Sequence, residues 1–206
     1  FTLPKHLASL DLGAMGSFPS HLPASNQLSP DEEKNYLSKV YSQLRQADWQ
    51  HRPAPQPALL CDWGLYVGGL NEASDAALMQ DLDIRAIVNT ASSMCIYTPR
   101  GAVPPSEMRL LHIDADDSDY PLLEKHFEAF EHFVSEAKAN GWKTLVHCQA
   151  GMNRSTGLCV AYLIHSEHLR LMEAIHLVVE RRGLVLTNPS FVKQLVRLAH
   201  KEHLLD

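Results

Sequence analysis

Between Thr144 and His165 an apolar run, a short glycine-bearing loop and a second apolar stretch follow one another, and this succession restricts the local fold severely. Thr144-Leu145-Val146 is apolar and partly β-branched, as a buried strand requires, whereas Ser155 to His165 carries apolar residues at helical spacing. The intervening residues, His147-Cys148-Gln149-Ala150-Gly151-Met152-Asn153-Arg154, therefore occupy a strand-to-helix junction. Backbone N–H groups at such a junction lack intrahelical partners, and the helix dipole adds partial positive charge there, so the loop is suited to hold an oxyanion such as phosphate. Arg154 adds a planar fork able to grip two phosphate oxygens at once. The same amides and cation favour the thiolate form of Cys148 and make it a nucleophile.

Further strand-like runs lie at Leu65 to Val67, Ala86 to Asn89 and Leu110 to Ile113, in addition to Thr144 to His147. A helix is expected around Ala73 to Leu82, and another opened by Pro121, with Leu123, Phe127, Phe130, Phe133 and Val134 at helical spacing. Asn188 followed by Pro189 suits a helix N-cap and first turn, with Leu195, Val196 and Leu198 on the core face. Strands alternating with helices imply a three-layer α-β-α domain with a central, mostly parallel sheet and ligands bound at the carboxyl ends of its strands. That domain spans 58–206, after an N-terminal helix and Pro-rich linker at 29–57 and a flexible segment at 1–28. Gly13-Ala14-Met15-Gly16-Ser17 in the flexible segment reads as vector-derived. Ser29-Pro30-Asp31-Glu32 is a capping box opening an amphipathic helix over 30–49, which either packs on the domain or docks a partner. Ile96 to Ser106 reads as a loop, and no apolar run is long enough for a membrane span.

His147, Cys148, Gly151, Arg154 and Ser155 stand in the order His-Cys-x5-Arg-Ser, which resembles the signature of the cysteine-dependent protein phosphatases. With Ala161-Tyr162-Leu163, Glu173-Ala174, Arg181-Arg182, Asn188-Pro189-Ser190-Phe191 and Gln194-Leu195, the chain is similar to the atypical dual-specificity branch from Leu59 to His203. The resemblance implies hydrolysis of phosphotyrosine and phosphoserine or phosphothreonine through a phosphocysteine on Cys148. Arg154 and the amides of Gln149, Ala150, Gly151, Met152 and Asn153 would hold the phosphoryl group, Ser155 would assist thiolate departure, and His147 would orient the loop. Aligning the helix opened by Pro121 puts Asp117 at the family's general-acid position. Asp116 is the nearest competitor, Asp114 belongs to the strand end, and Asp119 is a candidate cap. The mechanism requires no cofactor and no metal.

The expected partner is a phosphorylated protein. With Lys+Arg 18 against Asp+Glu 24 and a formal charge of −6, a nucleic-acid partner is disfavoured. Arg181, Arg182, Lys193 and Arg197 read as a solvated face or as steering for a phosphopeptide rather than an RNA track. The alternatives are an RNA 5′-phosphatase or triphosphatase, suggested by the Asn153-Arg154 pair, another non-protein phosphatase, or a phosphoprotein-binding pseudophosphatase. Uncharged Gln149, Ala150, Met152 and Asn153 argue against a highly anionic inositol lipid as substrate. Four cysteines without Cys-x-x-Cys spacing fit a reducing compartment, cytoplasmic or nuclear, and no structural zinc. Cys159 is expected in the core, with Cys61 and Cys95 as candidate redox partners of Cys148.

Overall fold

The structure, a computed structural model, describes residues 28–46, 56–91, 108–118 and 120–205. Its strands are β1 (Ala58–Cys61), β2 (Leu65–Gly68), β3 (Ile84–Asn89), β4 (Arg109–His112) and β5 (Lys143–His147). They form one sheet in the order β1-β2-β5-β3-β4, in which β2, β5, β3 and β4 are parallel and β1 folds back antiparallel onto β2. The expected mostly parallel α/β architecture is thus present. β1 was not anticipated, because its four residues follow Pro57 without a periodicity that separates them from the linker. A tight turn joins it to β2, closed by Gly64 N–H donating to Cys61 O at 2.9 Å. Gly64 takes φ +109°, and a Cβ there would lie 2.6 Å from Lys143 Cγ.

The helix expected around Ala73 to Leu82 is instead two short ones, α2 (Leu70–Ala73) and α3 (Ala76–Asp81). Asp75 separates them by accepting a hydrogen bond from Leu78 N–H at 3.0 Å, the N-cap geometry that starts a new helix. Together with Ile84, Ile87 and Leu145 they build a small core on one face of the sheet through Ala73 and Met79. An irregularity between Ile84 and Ala86 lets Ile84 and Ile87, of opposite parity in the chain, share that face.

The other face carries the main core and α4 (Leu122–Ala139), α5 (Arg154–His165), α6 (Leu171–Arg182) and α7 (Pro189–Lys201). α5 is buried along its length from Arg154 to Ile164, because it lies between the sheet and its neighbouring helices. α4 presents Leu123, Phe127, Phe130, Val134 and Ala137 inward, and Phe130 meets Tyr162 of α5 edge to face. Covering both faces is what a largely parallel sheet needs.

α1 (Pro30–Gln46) begins with the expected capping box: Glu32 N–H donates to Ser29 Oγ, and Ser29 N–H donates to Glu32 Oε2 at 3.0 Å. Residues 47–49 of the expected helix lie outside the described residues, as do the 96–106 loop and Asp119. α1 packs on α6 and α7, with Val40 fully buried. Glu33 holds Arg197 at 2.7 Å and Lys193 at 3.7 Å across that junction. No helix among the described residues is long and apolar enough to cross a membrane.

Candidate active site

β5 runs through the middle of the sheet, so the residue after it emerges at the sheet's carboxyl edge beneath the first turn of α5. That residue is Cys148, only 1% exposed. Its Sγ accepts hydrogen bonds from Gly151 N–H at 3.2 Å and from the Ser155 hydroxyl at 3.3 Å. Burial works against the charged form. The Ser155 hydroxyl, the N–H groups of Ser155 and Met152 and the Arg154 charge outweigh it, and hold the Cys148 thiol below its ordinary value. Cys61 and Cys159 go the other way: burial pushes Cys61 up to about 12 and Cys159 well above the ordinary range. All three are free thiols, and Cys95 lies outside the described residues.

The loop turns through Gly151, at φ +70°, where a Cβ would come within 2.6 Å of the Gly68 carbonyl. It ends at Asn153, the N-cap of α5, and Arg154 opens the helix. Arg154 is 9% exposed. Its Nη1 donates to Thr90 O at 3.3 Å and to Ala115 O at 3.2 Å, which fixes the guanidinium between the end of β3 and the segment after β4. Its Nε is buried with no partner among the described residues. A charged N–H donor left unsatisfied in the interior is costly unless an anion completes it. His147 is fully buried, its Nδ1 lies 3.3 Å from Cys148 O, and burial lowers its pKa to about 4, so the ring is neutral. Thr90 ties the same strand ends together, its N–H and hydroxyl both donating to His147 O at 2.8 and 2.9 Å.

Asp114, Asp116 and Asp117 are all exposed, and Asp117 is held against the loop by side-chain hydrogen bonds. Asp117 Oδ2 accepts from Asn153 Nδ2 and Asp117 Oδ1 from Asn188 Nδ2, each at 3.2 Å. Asn188 Nδ2 also donates to Ser118 O at 2.8 Å, and Asn153 Oδ1 accepts from Asn188 N–H and the Thr187 hydroxyl at 3.1 Å. Asn188 also performs the capping expected of it, its Oδ1 accepting from Ser190 N–H at 2.9 Å. Its hold on Asp117 was not legible, because a cap explains an Asn-Pro pair completely at the level of sequence. Thr90 gave no signal at all.

Of the basic residues between Arg181 and Arg197, Arg181, Lys193 and Arg197 are exposed, as a solvated face requires, and each of the four is engaged by the protein. Arg181 donates to Leu59 O at 2.7 Å, Arg182 pairs with Glu72, and Lys193 and Arg197 share Glu33. No three His, Cys, Asp or Glu side chains among the described residues are grouped to hold a metal ion.

An activated thiol and an arginine sharing one strand-to-helix loop, with a carboxylate tethered at its mouth, define a phosphate-binding site of the cysteine phosphatase kind. The chain belongs to the family of dual specificity phosphatase catalytic domains, which it matches over residues 65–201. It is 36% identical over 137 residues to mouse dual specificity protein phosphatase 2, covering 65% of this chain and 40% of that one. It is 35% identical over 136 residues to human dual specificity protein phosphatase 26, covering 66% of this chain and 64% of that one. The chain therefore spans less than two thirds of either relative. Among solved structures, the human tyrosine phosphatase-like serine/threonine/tyrosine-interacting protein aligns with TM-score 0.61 at 24% identity, covering 69% of this chain and 94% of that one. OH1 from the Orf virus, a tyrosine phosphatase, aligns with TM-score 0.63 at 23% identity, covering 81% of this chain and 98% of that one. These two likenesses establish the fold.

Proposed function

We propose that this chain is an atypical dual-specificity protein phosphatase, cleaving phosphotyrosine and phosphoserine or phosphothreonine in protein substrates through a phosphocysteine. The observation that carries this reading is the pairing, on one loop, of a Cys148 thiol held below its ordinary pKa with an Arg154 whose buried Nε lacks a partner among the described residues. Cys148 Sγ attacks phosphorus as the phosphorus–oxygen bond to the substrate breaks, and Asp117 gives its proton to the departing oxygen. Asp117, now a carboxylate, takes a proton from water as the water oxygen bonds to phosphorus. The sulfur–phosphorus bond then breaks, and the Ser155 hydroxyl, already donating to Sγ, stabilises the returning thiolate. Arg154 and the loop amides from Gln149 to Arg154 balance charge on the equatorial oxygens throughout. An RNA substrate has less support, since Arg181, Arg182, Lys193 and Arg197 are each engaged by groups of the protein itself.

Steady-state turnover of phosphotyrosine and phosphothreonine peptides and of 5′-triphosphorylated RNA tests the reading. Phosphopeptide turnover should vanish in Cys148→Ser, fall about 10²–10⁴-fold in Asp117→Ala, and stay near wild type in Asp116→Ala. Turnover confined to RNA, or phosphopeptide binding without turnover, would replace it with a nucleic-acid phosphatase or a recognition module.

A further inference from the structure

Three successive peptide units of the signature loop have their carbonyls engaged from outside. Gln149 O accepts from Leu70 N–H at 3.1 Å. Ala150 O accepts from Arg182 Nη2 at 3.3 Å. Gly151 O accepts from Arg182 Nε at 3.4 Å and from the Thr156 hydroxyl at 3.2 Å. A trans peptide is planar, with its C=O and the following N–H pointing in opposite directions. Pinning the Ala150 carbonyl outward therefore aims Gly151 N–H inward, and that N–H is the one 3.2 Å from Cys148 Sγ. Pinning the Gly151 carbonyl aims Met152 N–H in the same sense.

Arg182, at the last turn of α6, is itself fixed from several sides. Its Nη1 pairs with Glu72 and donates to Gln56 O at 3.2 Å. Glu72, 7% exposed on α2, also accepts from Gly69 N–H at 3.1 Å through Oε2. The loop and the clasp fit closely, since a Cβ on Gly151 would stand 2.5 Å from Arg182 Nη2 and one on Gly69 would stand 3.1 Å from Gln149 O. A cation seated on carbonyl oxygens also polarises those peptides and strengthens their N–H groups as donors.

We propose that Glu72 and Arg182 are positioning residues for catalysis, a partly buried clasp outside the signature loop that aims the Gly151 and Met152 amides at the sulfur and the phosphoryl group. The clasp touches neither substrate nor thiol, and it rests on the phosphatase reading above for its role in turnover. Among the described residues, the charged or titratable groups that act on Cys148 directly are Arg154, His147 and, from the core side, Cys159; the clasp acts on it through the backbone.

The test follows two properties that need no turnover: the pH dependence of Cys148 alkylation by iodoacetamide, followed at the Cys148 peptide by mass spectrometry, and the Kd for tungstate. Arg182→Met should move the alkylation midpoint to higher pH and weaken tungstate about tenfold, through two misaimed amides. Arg182→Lys, which supplies a point donor instead of a fork, and Glu72→Gln should shift both in the same direction by less. Arg181→Met, which removes an equal charge one residue away from an arginine bonded to Leu59 O, should leave both unchanged. In kinetics, kcat should fall more than KM rises. Thermal unfolding establishes that each variant is folded; if Arg182→Met is not, Arg182→Lys and Glu72→Gln decide. Folded Arg182 variants with unchanged midpoint and tungstate affinity would overturn the proposal, as would an Arg181→Met shift of the same size. A wild-type protein that binds tungstate but turns over no phosphopeptide would overturn the phosphatase reading and leave the clasp tested on its own readouts.

Discussion

Asn188→Asp separates two jobs that one side chain performs. Aspartate is as good an N-cap as asparagine, so the bond from Ser190 N–H, 2.9 Å in the present structure, survives and α7 keeps its start. What is lost is the donor side. Nδ2 now donates to Asp117 Oδ1 at 3.2 Å and to Ser118 O at 2.8 Å, and a carboxylate oxygen in its place repels both. A neutral hydrogen bond contributes about 0.5–1.5 kcal/mol and one to a charged group about 1.5–3 kcal/mol, so the tether is worth at most about 2–4.5 kcal/mol. The catalytic loss is capped by the whole contribution of the acid, about 10²–10⁴-fold. A fall of about 10–100-fold in kcat/KM is expected on phosphoserine and phosphothreonine peptides, whose alkoxide leaving groups need the proton most. A smaller fall is expected on an aryl phosphate with a good leaving group. Tungstate affinity should stay close to wild type, because Cys148, Arg154 and the loop amides are untouched, whereas stability in thermal unfolding should fall by up to the worth of the tether. Equal losses on both substrate types, or a loss of tungstate affinity that matches the loss of rate, would refute the assignment of Asn188 to the acid.

Arg154→Lys keeps the charge but cannot both hold Thr90 O and Ala115 O and present an N–H edge to phosphate. Losing at least one charge-assisted bond predicts tungstate binding and kcat/KM weaker by about 10-fold to 100-fold, measured by calorimetry and steady-state rates. His147 predicts a pH dependence of stability. Its pKa is about 4 when folded against 6.5 as a free side chain, so the unfolded chain binds the proton more readily. The associated stability is complete above about pH 6.5 and is lost as pH falls toward 4, a change of about 3 kcal/mol in urea unfolding that His147→Gln should remove. Val40→Ala opens a gap between α1 and the domain, and should cost about 1–3 kcal/mol in thermal unfolding while leaving kcat/KM unchanged.

How much of this was readable in the chain depended on whether the information was local. Cys148, Arg154 and Ser155 lie within one turn of a strand-to-helix junction, and local periodicity located that junction. The strands β2, β3, β4 and β5 were each found within a residue or two: β2, β3 and β5 because a buried parallel strand reads as a plain apolar run, and the exposed edge strand β4 from its Leu110-Leu111 pair. β1 and the break at Ser74-Asp75 were missed for the complementary reason. A four-residue strand gains its identity from pairing with β2, and Asp75 is a cap only once Leu78 N–H is seen to meet it. Asp117 could be chosen over Asp116 in the sequence only through the resemblance. In the structure Asn153 and Asn188, the second of them far along the chain at the N-cap of α7, hold Asp117 at the loop, which supports the proposed choice.

The same contrast explains why a motif of few residues needs a whole domain. A thiol that is 1% exposed pays for its charge in desolvation, and no local sequence can offset that cost, since the offset comes from donors that must be aimed. Ser155 aims itself from the helix, but the amides of Gly151 and Met152 belong to a loop that has no regular hydrogen-bonding pattern to hold it. Its carbonyls are taken up by Leu70 N–H, Arg182 and Thr156, and its arginine by Thr90 and Ala115. Those partners come from α2, α6, α5, the end of β3 and the segment after β4. The parallel sheet delivers β3, β4 and β5 to one edge with the same polarity, and the helices packed on its two faces bring Glu72 and Arg182 around the outside. Activation of Cys148 is therefore a property of the assembled domain, and substitutions well outside the motif should be readable in the titration of that one thiol.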